Sequence, residues 1–130
     1  ILPFPALNPR LADDLIAEYG PELQSRWEVE PGDLVFAHER NPLDLYRTIL
    51  SLADVRSRVF DGAGGSQIIL SPLGSKVLAI GALMAALDRN FPVAYVEAID
   101  YKVNFDEVER TRAEAGELVH VWLHGDAYGL

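Results

Sequence analysis

The turn "SPLGSK", residues 71–76, sets two hydroxyls, a glycine and a lysine immediately before the apolar stretch "VLAIGALMAAL". Pro72 pushes Ser71 toward an extended backbone, Gly74 permits a tight turn, and Ser75 is suited to cap a helix. The first amides of that helix lack internal partners and carry the positive end of its dipole. Lys76 therefore stands where a positive charge costs a few tenths to about 1 kcal/mol. An anion held by those amides and Lys76 together would offset the cost, which is how phosphate groups bind at helix N-termini. Ser71, Gly74, Ser75 and Lys76 are thus candidate ligand-binding residues for a phosphate-bearing or nucleotide ligand. The same residues also fit an ordinary turn into a buried helix. The segment is not a Walker loop, because its order is Gly-Ser-Lys and no glycine stands five positions before Gly74. Nor does "GAGGSQ" (62–67) match a dinucleotide fingerprint, since Gln67 replaces the last glycine.

A second loop, "AHERNP" (37–42), offers His38 and Arg40 as further ligand contacts. His38 or Glu39 could serve as general base if the crevice belonged to a transferase or hydrolase. No catalytic set can be assembled from the rest: Ser66 and Ser75 lack the Gly-x-Ser-x-Gly elbow of serine hydrolases. His120 and His124 flank Trp122 on an expected strand, but four strand residues span roughly 13 Å. That is too far for both rings to reach one zinc ion at about 2 Å each, so no metal site is expected. Catalytic residues and cofactor stay open.

The elements that would position these loops alternate along the chain. Asn8-Pro9 opens a helix with Leu11, Leu15, Ile16 and Tyr19 at helical spacing, Gly20-Pro21 stops it, and a short helical or irregular piece runs on to Trp27. A strand follows at 34–37, and Asn41-Pro42 opens a second helix whose stripe is Leu43, Tyr46, Ile49, Leu50 and Ala53. "DGAGG" (61–65) ends that unit. Residues 67–71 read as a strand, 75–88 as a helix and 93–97 as another strand. The order predicts an α/β, Rossmann-like domain, a mostly parallel sheet flanked by helices, with ligand loops at the C-terminal edge of the sheet. Residues 99–104 and 117–123 read as a C-terminal β-hairpin around a charged connection, "FDEVERTRAEAG", with one or two exposed helical turns.

The strand, "SPLGSK", apolar helix and "VAYVEA" run, with the hairpin after it (about residues 67–123), resembles CARF-type domains, Rossmann-fold sensors of cyclic oligonucleotides. The resemblance implies that Gly74, Ser75 and Lys76 touch a ligand phosphate or base, and that two copies pair across the ligand. Gly81, Ala82, Ala85 and Ala86, which permit close approach, fit the same homodimer.

Composition limits the remaining choices. The chain has 130 residues, 49% of them hydrophobic, enough for the core of a single domain, 1–130. Its start at Ile-Leu-Pro is compatible with a piece of a longer protein. A net charge of −9 argues against binding duplex nucleic acid or an anionic membrane. The longest apolar run, Val77–Leu87, falls well short of the roughly 20 residues a membrane span needs. No cysteine is present, which excludes thiolate chemistry and allows a cytoplasmic location. The expectation is a small-molecule-binding, sensory or regulatory domain. An enzyme using the same crevice is the alternative, and a structural or oligomerisation domain the third reading.

Overall fold

The computed structural model describes residues 1–95, 97, 104–113 and 120–121. The chain divides into two compact units, Ile1–Ala94 and Tyr95–Leu130. In the first, strand β1 (Leu2–Pro3) leads to helix α1 (Leu11–Trp27), a 3₁₀ turn at Pro31–Asp33, strand β2 (Phe36–Ala37), helix α2 (Pro42–Phe60), a second 3₁₀ turn at Asp61–Ala63 and helix α3 (Lys76–Arg89). In the second, helix α4 (Phe105–Ala113) covers most of the charged connection. The residues of the expected C-terminal hairpin lie almost entirely outside the described set.

This architecture overturns the α/β, Rossmann-like reading. The described residues are mostly helical, and the named sheet has two strands of two residues each, β1 and β2, paired in parallel. Of the expected strands, 34–37 shortens to Phe36–Ala37, while the described residues of 67–71 and 93–97 hold one isolated parallel bridge, Leu70 to Val93. No bridge joins Phe36–Ala37 to Leu70 among the described residues.

Proline chemistry accounts for much of this. Leu2 and Phe4 donate their N–H groups to Val35 and Ala37 at 2.7 and 2.8 Å. Alternate strand residues donate to opposite sides, so Pro3 and Pro5, which have no N–H, leave the far side of β1 without donors for another strand. Around Leu70 the ladder is confined to Leu70 N–H to the Pro92 carbonyl, 2.9 Å, and Ala94 N–H to the Leu70 carbonyl, 2.8 Å, with prolines at 72 and 92. Parallel sheets persist where both faces are covered. Here Phe36, Ile69 and Val93 remain substantially exposed.

α2 and α3 follow their local signals closely, while α1 departs from its own at both ends. It starts at Leu11 with Arg10 at the N-cap and no side-chain cap bond, Asn8 Oδ1 accepting from Arg10 N–H ahead of the helix. Asn41 caps α2, its side-chain oxygen accepting from Leu43 N–H, and Pro42 occupies the first turn, where a missing N–H is harmless. Ser75 caps α3 by accepting from Leu78 N–H, and Asn90, with φ 52°, closes that helix by donating to the Ala86 carbonyl. At its far end α1 runs through Gly20-Pro21 to Trp27 and ends at Glu28, with φ 53°, whose N–H donates to the Leu23 carbonyl. Proline's fixed φ is itself helical, so Pro21 removes one hydrogen bond without ending the helix.

α2 and α3 run side by side in the same direction: Pro42 at the start of α2 lies against Gly81 in the middle of α3, and Asp54 pairs with Arg89 further along both. Between them sits the core of Ala37, Leu45, Ile49, Ala82 and Ala85, with Tyr46, Leu50, Leu70, Leu78 and Phe91 packed around it. Leu45 and Ile49 each contribute about 1.5–3 kcal/mol by leaving water. Gly81, Ala82, Ala85 and Ala86, the small residues expected to meet a second copy, are buried within this unit. The exposed large apolar residues of α3 are Leu83 and Leu87.

Candidate functional site

Two cavities lie beside the start of α3. The smaller, of about 250 Å³, is bordered by Ser71, Gly74 and Ser75 together with Leu45, Ile49 and Leu78. The larger is a groove of about 1020 Å³, bordered by Leu11, Leu15, Tyr19 and Leu23 of α1, and by Leu34 and Leu78 opposite. Gly74 and Ser75 border both spaces. The groove exists because α1 presents a long apolar stripe of which only Ala12 is fully buried.

Three of the four residues of the first loop therefore meet at one place. Gly74 has φ +142°, a backbone conformation that residues with side chains rarely adopt, and the space where a Cβ would stand is open. Ser75 Oγ is occupied by the cap, accepting from Leu78 N–H at 3.2 Å. Lys76 does not join them. It is exposed, borders neither cavity, and forms no ion pair among the described residues. The positive charge at the helix start is turned to water.

The second loop contributes a different residue from those expected. His38 and Arg40 border neither cavity. The His38 N–H donates to Asp44 Oδ2 at 2.7 Å, and its Nδ1 accepts from Arg40 N–H at 3.2 Å, so the proton of the neutral ring sits on Nε2. This holds the turn into α2. Glu39, considered above only as a general base, does border the groove. Its Oε2 accepts from Leu7 N–H at 2.8 Å and its own N–H donates to the Pro5 carbonyl at 3.0 Å, which ties the chain after β1 to the chain after β2.

Glu30 and Glu39 are the only charged side chains among the residues bordering the groove. A hydrogen bond to Glu18 and the negative charge of that carboxylate raise the pKa of the Tyr19 phenol. No group of three or more metal-ligating side chains occurs among the described residues; His120 is exposed and His124 lies outside them. No helix among them is long and apolar enough to cross a membrane.

The residues missed from sequence are those of the groove wall. Leu11, Leu15 and Tyr19 carried a visible helical stripe, but such a stripe ordinarily marks a core contact. What distinguishes it is that, among the described residues, the apolar side chains opposite leave most of it uncovered. Compared with known proteins, the chain matches no family model, no curated protein and no solved structure.

Proposed function

We propose that the chain is a small-molecule-binding module whose ligand lays an apolar body in the groove between α1 and the Leu73–Leu78 segment. One observation carries the reading: a space of about 1020 Å³ walled mainly by aliphatic side chains with a few polar groups at its border. Small-ligand clefts are of that character and span roughly 300–1,000 Å³. The enzyme alternative has less support, because of its two candidate bases His38 borders neither cavity, its Nδ1 engaged by a backbone N–H, and Glu39, at the groove, is held by Leu7 N–H, while Ser75, which also borders the groove, has its Oγ engaged as a cap.

The test is fluorescence of N-phenyl-1-naphthylamine, an uncharged dye that brightens in apolar surroundings. The protein should enhance it, Leu15→Gln and Leu23→Gln should each weaken the enhancement, and Lys76→Ala should not. No enhancement, or enhancement unchanged in both leucine variants while their helical circular dichroism is intact, would overturn the reading.

A phosphate-bearing or nucleotide ligand is the second reading, favoured by the meeting of Ser71, Gly74 and Ser75 at the smaller cavity. It ranks second because no cationic side chain borders either space among the described residues. A thermal shift with inorganic phosphate or adenosine monophosphate, absent with chloride, would reverse that order. A cytoplasmic setting rests on the cysteine-free composition alone, and a homodimer on the exposed Leu83 and Leu87.

A further inference from the structure

We propose that the groove selects a cationic amphiphile, an alkyl or aryl body ending in a protonated amine, and that Glu39 receives the ammonium; this rests on the groove being a ligand site. The argument is charge complementarity. The two charged side chains bordering the groove, Glu30 and Glu39, are both acidic. A carboxylate or phosphate head group would enter against both of them. The protein's net charge of −9 also raises the local concentration of cations.

Of the two acids, Glu39 is the prepared one. It is half-buried, and its carboxylate is fixed by Leu7 N–H on Oε2, while Oε1 has no hydrogen-bond partner among the described residues. A fixed carboxylate oxygen beside an apolar wall can accept a charge-assisted hydrogen bond with little further ordering. Glu30 is exposed, so water screens its charge. An ammonium with N–H groups gains both the bond and the charge at Glu39, whereas a hydroxyl gains at most a weaker bond.

The experiment displaces N-phenyl-1-naphthylamine with decylamine, decanol and decanoate, all below their aggregation limits, from the wild type, Glu39→Gln and Glu30→Gln. Decylamine should displace the dye at concentrations about tenfold lower than decanol, and decanoate should be the weakest. Glu39→Gln should close the gap between amine and alcohol, and Glu30→Gln should leave most of it. The glutamine carbonyl can still accept from Leu7 N–H, so unchanged displacement by decanol would show that the groove of that variant is intact. Equal displacement by amine and alcohol in the wild type would overturn the proposal, as would a gap that survives Glu39→Gln or closes in Glu30→Gln. In those cases decanol still displaces the dye and the groove reading stands. If the dye itself does not bind, it is the groove reading that fails.

Discussion

The bare α-carbon of Gly81 faces the carbonyl of Pro42, so closely that a Cβ on Gly81 would overlap the carbonyl oxygen and come within 3.1 Å of Leu45 Cβ. This contact sets how near α3 can lie to the start of α2, and hence how well Ala82 and Ala85 close over Leu45 and Ile49. It also answers why so small a core is built largely from alanines: two helices this close leave room for little else.

Gly81→Ala is therefore expected to destabilise the protein. Alanine in place of glycine gains up to about 1 kcal/mol of helix propensity, but overpacking against a neighbour costs about 1–3 kcal/mol. The obstacle is backbone, held by the Asn41 cap and by Pro42, and cannot rotate aside as a side chain would. Urea denaturation should give a lower midpoint for Gly81→Ala. A variant at least as stable as the wild type would show that the helices part freely.

Ser75 and Lys76, adjacent at the start of α3, should separate cleanly. Ser75→Ala loses the oxygen that accepts from Leu78 N–H and should lower stability by about 1 kcal/mol. Lys76→Ala removes an exposed charge that opposes the dipole, and should change stability by no more than about 0.5 kcal/mol, with relief as the favoured sign. Thermal melts of the two variants decide it. A large loss for Lys76→Ala would mean that its ammonium has a partner.

These two positions also show what the sequence could and could not convey. Asn41-Pro42 and Ser75 were legible because a cap is a contact between neighbours in the chain, complete within a few residues. Gly20-Pro21 misled because a proline that costs one hydrogen bond stops a helix only if nothing downstream continues it, and "ELQSRW" does. The sheet misled for a longer-range reason. Short aliphatic runs at 67–71 and 93–97 satisfy a strand pattern, but a sheet needs a ladder and two covered faces, and neither is written in the runs themselves. The loop "SPLGSK" borders a cavity, but not at the edge of the expected sheet, and the direction of Lys76 depends on packing that no local spacing encodes.

Tyr19 gives a prediction in pH. The hydrogen bond to Glu18 and its charge hold the phenol pKa above its ordinary value. A raised pKa in the folded state means that the protonated phenol is the favoured form. The associated stability is fully present below the unfolded tyrosine pKa and is lost as pH rises through the folded one. Spectrophotometric titration of phenolate should contain a late component that Glu18→Gln moves down. Superimposable titration curves for wild type and Glu18→Gln would contradict the coupling.

The last prediction concerns the polar lacing of α2 to α3. Tyr46 Oη donates to Asp88 Oδ2 at 3.3 Å, Arg89 Nε lies 3.4 Å from the same oxygen, and an Arg89 guanidinium nitrogen lies 3.1 Å from Asp54 Oδ1. The Arg89–Asp54 pair is about half exposed on both sides, so solvent screens it and Asp54→Asn should cost at most about 1 kcal/mol, shrinking with added salt. The Tyr46–Asp88 bond is less exposed to water and its acceptor is charged. Tyr46→Phe should therefore cost about 1–2 kcal/mol with little salt dependence. A double-mutant cycle of Tyr46→Phe with Asp88→Asn separates the bond from the other contacts of each residue. Coupling of at least about 0.5 kcal/mol is expected, because both groups sit on helices already fixed by the Gly81–Pro42 contact and need little further ordering. A coupling of zero would show that the two helices are held by their apolar seam alone, with the hydroxyl and carboxylate no better satisfied by each other than by water.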